Sequence, residues 1–359
     1  MSVLLMGCQS DSALAFAERQ PLSHYGYIMP IEQNRNLLAH FITDKLSGDY
    51  GVYTNYLDTK QTDEVATGHE VLSESAGLMM RYYALTNQKE KFDHVWAQAK
   101  RTFDRSSGLS YRYSPKNHKQ FAMNTTVDDL RILRALDEAS TTFQLDSYKT
   151  DLKEYGNRLF QYNMKNNTLR DFYDDTYHMT NSFITLCYID MASMELLPVS
   201  SKKKNAALTS MLDIVKQGFL TESFPFYQTR YDYDSHSYRS ESINTVEALL
   251  TILNLAEIKQ EQMASIRYIK DHVKAGTLYG KYALDGTPLN NVQSTAIYAI
   301  TAMIGSTIGD QELYVESITR MNAMQVQTPG SPLHGGFGDE GTQMAYSFDN
   351  LMALLAYIY

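Results

Sequence analysis

A repeat of helical hairpins constrains the fold of this chain more than any other feature. Apolar residues recur at three- and four-residue spacing along most of its 359 residues, which is the pattern of amphipathic helices. The pattern predicts twelve helices, at residues 33–46, 69–86, 90–104, 127–141, 146–164, 180–196, 205–218, 241–256, 260–273, 291–305, 310–325 and 341–358. A polar and aromatic cluster precedes or begins every second predicted helix.

These clusters recur at a nearly constant interval. Markers taken from them are separated by 54, 53, 58, 54 and 50 residues; the markers are Glu74, Asp128, Asn181, Arg239, Gln293 and Gln343. Such a period without sequence identity is typical of repeat architectures. Short connections make successive helices antiparallel, so the even-numbered helices should point the same way.

Six parallel inner helices wrapped by six outer ones would form an all-α protein, an (α/α)6 barrel, with every polar cluster around one mouth. An open solenoid is the alternative. The last predicted helix, "MAYSFDNLMALLAYIY", is apolar to its end. This favours the closed ring, because a closed ring has no exposed terminal repeat to cap.

Composition limits the choice of partners. A net charge of −9 argues against nucleic acid or an anionic membrane surface as the main partner. No Pro/Gly/Ser-rich linker divides the chain, so we expect one domain over residues 29–359, acting as a monomer. No segment approaches the roughly 20 apolar residues that span a bilayer.

The two cysteines do not form a disulfide framework. Cys187 lies in the apolar stretch "NSFITLCYIDM" and is expected to be a buried, inert thiol. Cys8 lies in "LLMGCQS", which matches the end of a lipoprotein signal, although the apolar run before it is short. Residues 1–28 are therefore either a truncated signal and linker with a lipid anchor at Cys8, or a chance match.

The polar clusters that converge at the predicted mouth are mainly acidic. Their carboxylates are Glu74, Asp128, Asp129, Asp174, Asp175, Asp232 and Asp234. Cleaving a glycosidic bond needs two carboxyl groups, one protonated and one ionised. The alternative for Glu74 and the pair at 128–129 is ordinary capping of a helix start. The histidines are scattered, and neither a metal nor another cofactor is expected.

The aromatic composition is compatible with a sugar ligand. The chain has 27 Tyr and 14 Phe but one Trp, and tyrosine rings can stack on sugars while their hydroxyls form hydrogen bonds. Most of these tyrosines should fill helix interfaces. Candidates for substrate binding are Tyr111, Tyr113, Tyr173, Tyr177, Tyr231 and Tyr233.

Three segments resemble glycoside hydrolase family 8. The first, "LSESAGLMMRYYALTNQKEKFDHVWAQAK", is similar to the family segment that reads Ser-Glu-Gly-x-Gly-Tyr-Gly-Met and then Phe-Asp-x-x-Trp. The second, "NTTVDDLRILRALDEAS", resembles the family's Ala-Thr-Asp-Ala-Asp-Leu-Asp-Ile run. The third, "RYDYDSHSYRSE", resembles Tyr-Asp-Ala-x-Arg-x-x-Trp-Arg. These segments cover the first two-thirds of the chain in the expected order.

The resemblance implies an (α/α)6 barrel and an endo-acting, inverting hydrolase. It makes Glu74 the general acid and Asp232 the base, with roughly 6.5–9.5 Å between the two carboxyls. An acid of the 128–129 pair would hold the sugar or polarise the water, and Arg239 would orient the base. Ser235 stands where the family has an Arg, so Asp234 stays open as the base.

The resemblance is greatest to extracellular hydrolases of Gram-positive exopolysaccharide operons. It implies an extracellular enzyme, held at the outer face of the membrane if Cys8 is lipidated, that degrades the polysaccharide of a biofilm matrix. Two alternatives stay open. One is an (α/α)6 polysaccharide lyase, for which Tyr177–His178 and His236–Arg239 are candidate centres, or an unsaturated-uronyl hydrolase. The other is a non-catalytic glycan-binding lipoprotein.

Overall fold

Twelve α-helices form the frame of the protein in a computed structural model, which describes residues 22–62 and 64–359. Their bounds are α1 Glu32–Lys45, α2 Ser73–Leu85, α3 Lys89–Phe103, α4 Thr126–Phe143, α5 Asp146–Asn163, α6 Met191–Met194, α7 Ser201–Gln217, α8 Thr245–Ala256, α9 Met263–Ala275, α10 Thr295–Ile308, α11 Gln311–Asn322 and α12 Ser347–Ala356. Two short 3-10 helices span Tyr25–Tyr27 and Leu186–Tyr188.

The even-numbered helices form a closed inner ring. Helix α2 packs on α4, α4 on α6, α6 and the 3-10 helix before it on α8, α8 on α10, α10 on α12, and α12 again on α2. Helices α10 and α12 are buried on nearly all sides, whereas α3 and α9 bury one face. The closed (α/α)6 barrel predicted from the repeat is therefore confirmed, and the open solenoid is excluded.

The sixth predicted helix, at 180–196, is wrong over most of its length. Residues Phe183–Thr185 form a strand, a 3-10 turn follows, and α6 has four residues. The strand hydrogen-bonds to a neighbouring hairpin, and Asp190 caps α6 by accepting from the Ser193 amide at 2.9 Å. Pairing with the hairpin overrides the helical spacing of the apolar residues here. Cys187 is buried in this segment, as predicted.

Short antiparallel strands connect the helices. They are β1 Ser47–Gly48, β2 Gly51–Val52, β3 Val71–Leu72, β4 Asp104–Arg105, β5 Gly108–Leu109, β6 Arg112–Ser114, β7 Lys119–Gln120, β8 Met164–Lys165, β9 Thr168–Leu169, β10 Tyr173–Asp174, β11 Met179–Thr180, β12 Phe183–Thr185, β13 Arg230–Asp232, β14 Ser237–Arg239, β15 Ile243–Asn244 and β16 Lys281–Tyr282. Strands β3 and β15 lead directly into α2 and α8. The polar clusters therefore adopt extended backbone before the inner helices and form a rim around the mouth of the barrel. For this reason α2, α8, α10 and α12 begin four to six residues later than predicted.

The rim contains two three-stranded sheets. One has the order β3-β6-β7, and the other has the order β12-β13-β14, with Phe183 opposite Asp232 and Asp232 opposite Ser237. Because β3 leads into α2 and β12 leads into the third inner segment, both sheets stand over the starts of inner helices. Residues of different repeats are thereby placed around one mouth.

Among the helices at residues 22–62 and 64–359, none has the length and apolar character needed to cross a membrane. Cys8, the predicted lipid attachment site, lies outside the described residues. The division between residues 28 and 29 stays a prediction.

Candidate active site

A cavity of about 490 Å³ opens where the inner helices begin. Its walls come from the first turns of α2, α4, α8 and α12 and from the 3-10 turn of the third repeat. It is lined by Ala66, Leu72, Glu74, Tyr111, Thr125, Val127, Asp128, Arg131, Cys187, Tyr188, Asn244, Val246, Glu247, Leu250 and Phe348. Three carboxylates and one guanidinium thus share a space large enough for sugar rings.

Glu74 is the predicted acid, and it lies in this cavity with 22% of its side chain exposed. Its Oε2 accepts a hydrogen bond from Arg131 Nη1 at 3.2 Å. Burial raises the pKa of Glu74 to about 7; the positive charge of Arg131 opposes this rise and the negative charge of Asp128 adds to it. A carboxyl group with this pKa is partly protonated at neutral pH, as a proton donor must be.

The small residues after Glu74 bring two inner helices close together. A Cβ atom at Gly77 would lie 3.1 Å from Arg131 Cβ, so glycine permits the close approach of α2 and α4. That approach places the Arg131 guanidinium beside the Glu74 carboxylate.

The structure separates the two acids of the 128–129 pair. Asp128 lines the cavity, and its Oδ1 accepts from Arg131 at 2.8 Å while its Oδ2 accepts from Ser73 Oγ at 3.3 Å. Asp129 is buried behind it and accepts from the Leu109 amide at 3.3 Å and from Asn124 at 2.9 Å. Burial raises the pKa of both carboxyls. Asp128 is therefore the member of the pair that lines the cavity, whereas Asp129 binds the Leu109 amide and Asn124 behind it.

Asp232, the predicted base, lines a second cavity of about 560 Å³. Its Oδ1 accepts from the amides of Asp234 and Ser235 at 3.1 and 2.8 Å and from Ser235 Oγ at 2.8 Å. The hydrogen bonds from Ser235 lower the pKa of Asp232. Arg239 lines the same cavity, with a guanidinium nitrogen 3.7 Å from Asp232 Oδ2. Asp234 is exposed at the turn between β13 and β14.

The two cavities meet at Asn244 and Glu247, which line both of them. Asn244 caps α8 by accepting from the Val246 amide at 2.9 Å and the Glu247 amide at 3.3 Å. Burial raises the pKa of Glu247, and the Arg230 guanidinium partly offsets the rise. Glu247 was not among the residues predicted from the sequence, although "INTVEALL" places an acid in the first turn of an inner helix, as "LSESAGLM" does for Glu74.

Of the six predicted tyrosines, Tyr111 lines the cavity that contains Glu74. Tyr113 packs on Tyr50 and Tyr173 packs on Tyr162, each with ring centroids 4.9 Å apart. Tyr177 is 74% exposed. Tyr113, Tyr173 and Tyr177 therefore belong to the rim, and among the described residues they line neither of the two cavities.

Tyr231 and Tyr233 support the β13–β14 hairpin. Tyr231 packs on Tyr238 with ring centroids 5.0 Å apart. The Tyr233 hydroxyl donates to the Leu169 carbonyl at 2.7 Å, and the Arg170 guanidinium lies 3.6 Å from its ring centroid. Tyr188, which was not predicted, lines the cavity with Glu74 instead.

Below the cavity, a buried ionic cluster holds the inner helices together. Arg134 on α4 donates to Glu257, just after α8, at 2.7 Å, and Arg81 on α2 donates to Glu138 on α4 at 3.0 Å. All four side chains are at most 6% exposed. Within the described residues, no group of three or more His, Cys, Asp or Glu is arranged to hold a metal ion.

No profile of a known protein family matches the chain. A curated relative, the putative lipoprotein YdaJ of Bacillus subtilis (strain 168), is 28% identical over 86% of this chain and 85% of its own length. An α-amylase from Clostridium perfringens, described as novel, has a solved structure that is 33% identical, with a TM-score of 0.84 over 90% of this chain and 96% of its own.

Two more distant solved structures share the fold. PssZ from Listeria monocytogenes is 16% identical, with a TM-score of 0.70 over 95% of this chain and 97% of its own. Cel10, an endoglucanase and family 8 glycosyl hydrolase from Klebsiella pneumoniae, is 14% identical, with a TM-score of 0.63 over 89% of this chain and 98% of its own.

Proposed function

Because the chain belongs to the glycoside hydrolase family 8-like endo-glycanases, we propose that it cleaves a bacterial exopolysaccharide internally and with inversion of configuration. The observation that supports this most is the position of Glu74. It is a largely buried carboxyl with a pKa of about 7, in a cavity that also contains two other carboxylates.

In the proposed reaction, Glu74 gives its proton to the glycosidic oxygen as the bond to the anomeric carbon breaks. A carboxylate on the facing wall removes a proton from the water that attacks that carbon. The resemblance assigns this base role to Asp232, and the assignment stays a prediction. Asp128, fixed by Arg131 and Ser73, would accept hydrogen bonds from hydroxyls of the sugar beside the cleavage point.

The substrate could instead be an α-glucan. The relative that is 33% identical is described as an α-amylase, which favours starch-like polymers as the second candidate. The scarcity of Trp in this chain argues against cellulose, whose hydrolases line long grooves with that residue. Tyr111 and Tyr188 would provide the aromatic contacts in the cavity instead.

The cellular place of the enzyme is proposed on separate grounds. A relative over most of the chain is described as a putative lipoprotein, and "LLMGCQS" contains a cysteine suited to lipid attachment. We therefore place the enzyme outside the cell, anchored through Cys8 and acting as a monomer on a biofilm matrix.

The test measures the release of reducing ends from bacterial exopolysaccharides, chitosan, cellulose and starch. The wild-type protein is compared with Glu74→Gln and with Glu90→Gln. Glu90 is a matched control because it is also the second residue of its helix, but it lies exposed on outer helix α3.

The proposal predicts that the wild type and Glu90→Gln release reducing ends from an exopolysaccharide, while Glu74→Gln binds it without cleaving it. Release from starch alone would support the second candidate. Products that absorb ultraviolet light as unsaturated uronates would identify a lyase, and binding without any release by the wild type would identify a glycan-binding protein.

A further inference from the structure

The inner ring places a second glutamate opposite Glu74. Around the ring, each member contacts the next in the order α2, α4, α6 with its preceding 3-10 helix, α8, α10 and α12. Helices α2 and α8 are therefore the first and fourth of six members. In a closed ring of six, these two members face each other across the centre. Glu74 is the second residue of α2, and Glu247 is the third residue of α8.

Both carboxylates also line the same cavity of about 490 Å³. Asp232 lines the neighbouring cavity, from a rim hairpin rather than from the ring. Glu247 lines both cavities and therefore lies where the cavity with Glu74 joins the cavity with Asp232. A polymer lying along the two cavities would pass Glu247 where they join.

The chemical surroundings of the two candidate bases differ. Three hydrogen bonds engage Asp232 Oδ1 within its own turn, so that oxygen is committed to the fold. Among the described residues, no hydrogen bond or ion pair reaches the Glu247 carboxylate. Three titratable groups interact with it electrostatically. Arg230 stabilises its ionised form, the Asp171 carboxyl is held by the Thr185 amide and hydroxyl, and the buried Cys187 thiol lines the same cavity.

We infer that Glu247 is the second catalytic carboxylate, and that it acts as the base facing Glu74. This inference rests on the proposed hydrolase function. As the water oxygen bonds to the anomeric carbon, Glu247 takes one proton from that water, and the glycosidic bond breaks with the proton of Glu74 on the leaving oxygen. Asp232 and Arg239 then bind sugars farther along the polymer.

The inference is tested by kinetics of Glu247→Gln, Glu247→Ala and Asp232→Asn on the polysaccharide that the wild type cleaves. Loss of a general base lowers kcat by about 10²–10⁴-fold, so Glu247→Gln should lose this much with KM little changed. Asp232→Asn should instead raise KM more than it lowers kcat. Glu312→Gln is the matched control, because Glu312 is a first-turn acid of the outer helix α11 and 63% exposed; its activity should be unchanged.

Rescue by azide separates the two bases chemically. Removing the side chain in Glu247→Ala leaves room for azide to attack the anomeric carbon, which should give a glycosyl azide of inverted configuration. Rescue of Asp232→Ala instead, or Glu247 variants with kcat within a few-fold of the wild type, would overturn the inference.

A pH profile gives an independent readout that needs no alanine variant. The acidic limb of the profile reports ionisation of the base, and removing the base removes that limb. The residual activity of Glu247→Gln should therefore lack the acidic limb, whereas that of Asp232→Asn should keep it. Retention of the acidic limb in Glu247→Gln would contradict the inference alone. A wild type that cleaves none of the polysaccharides would overturn the hydrolase proposal itself and this role for Glu247 with it.

Discussion

One guanidinium nitrogen of Arg131, Nη1, lies 3.2 Å from Glu74 Oε2 and 2.8 Å from Asp128 Oδ1. This contact opposes burial, which has the larger effect on the pKa of Glu74. The positive charge favours the ionised form of Glu74, while burial favours the protonated form.

We expect kcat/KM to fall as the pH rises through about 7, because Glu74 must be protonated to act as the acid and its pKa is about 7. Arg131→Gln should move this basic limb to higher pH, since it removes the charge that lowers the pKa. The measurement is the pH profile of kcat/KM for both proteins. Arg131→Lys should keep the limb nearer its wild-type position, and a shift of Arg131→Gln to lower pH would contradict the assignment.

The raised pKa of Glu74 should also be visible in stability. Its ordinary value is 4.5 and its value in the folded protein is about 7, so between these pH values the folded state binds more protons than the unfolded state. Stability therefore falls as the pH rises through this window. Glu74→Gln removes this loss and should be about 1–3 kcal/mol more stable than the wild type at pH 8.

Denaturant unfolding at pH 8 and at pH 4.5 measures this effect. The advantage of Glu74→Gln should shrink at the lower pH, where the wild-type carboxyl is protonated in the folded protein. Glu90→Gln, at an exposed helix start, should show no such pH dependence. Equal stability of the wild type and Glu74→Gln at both pH values would show that folding does not raise the pKa of Glu74.

Gly77 should tolerate little growth of its side chain. Its notional Cβ lies 3.1 Å from Arg131 Cβ, so Gly77→Val must push α2 from α4 and should cost about 1–3 kcal/mol of stability. Activity should fall beyond the loss of folded protein, because Arg131 then moves relative to Glu74. Urea unfolding measures the loss of stability, and kcat of the folded fraction measures the loss of activity. Gly280→Ala is the control, because no atom lies closer than 3.5 Å to its notional Cβ and its φ is not positive.

Breaking the buried ionic cluster of Arg81, Glu138, Arg134 and Glu257 should lower the free energy of unfolding more than breaking an exposed ion pair does. Glu257→Gln leaves the Arg134 guanidinium with a weakened partner at 5% exposure, and breaking a buried pair from one side costs about 3–5 kcal/mol. Glu154→Gln breaks a half-exposed pair with Arg158 and should cost less than about 1 kcal/mol. Denaturant midpoints of both variants test the contrast, and equal losses would contradict it.

The sequence predicts the ring well because helical spacing and the repeat period are properties of each hairpin and need no knowledge of contacts between hairpins. Eleven of the predicted helices correspond to observed ones. The exception at 180–196 depends on a contact that lies outside the segment, since Phe183–Thr185 pairs with residues Arg230–Asp232. No local pattern carries that information.

The site was harder to predict, because a residue type does not reveal which way its side chain points. Asp128 and Asp129 are adjacent and identical, yet Arg131 binds Asp128 at the cavity while the Leu109 amide and Asn124 bind Asp129. Glu247 was overlooked because an acid after Asn-Thr-Val is an ordinary helix start. Its proposed role as the base emerges only from the order of helices around the ring, which places α8 opposite α2.

The β13–β14 hairpin stands on the rim, joined to the third repeat by strand pairing rather than through an inner helix. The proposed proton donor Glu74, on α2, and the proposed sugar-binding residues Asp232 and Arg239, on this hairpin, therefore belong to separately supported parts of the molecule. A hairpin of another length or charge could be grafted at Arg230–Arg239 without rebuilding the ring. Evolution or an engineer could thus retune which polymer is accepted while the cleavage chemistry stays intact.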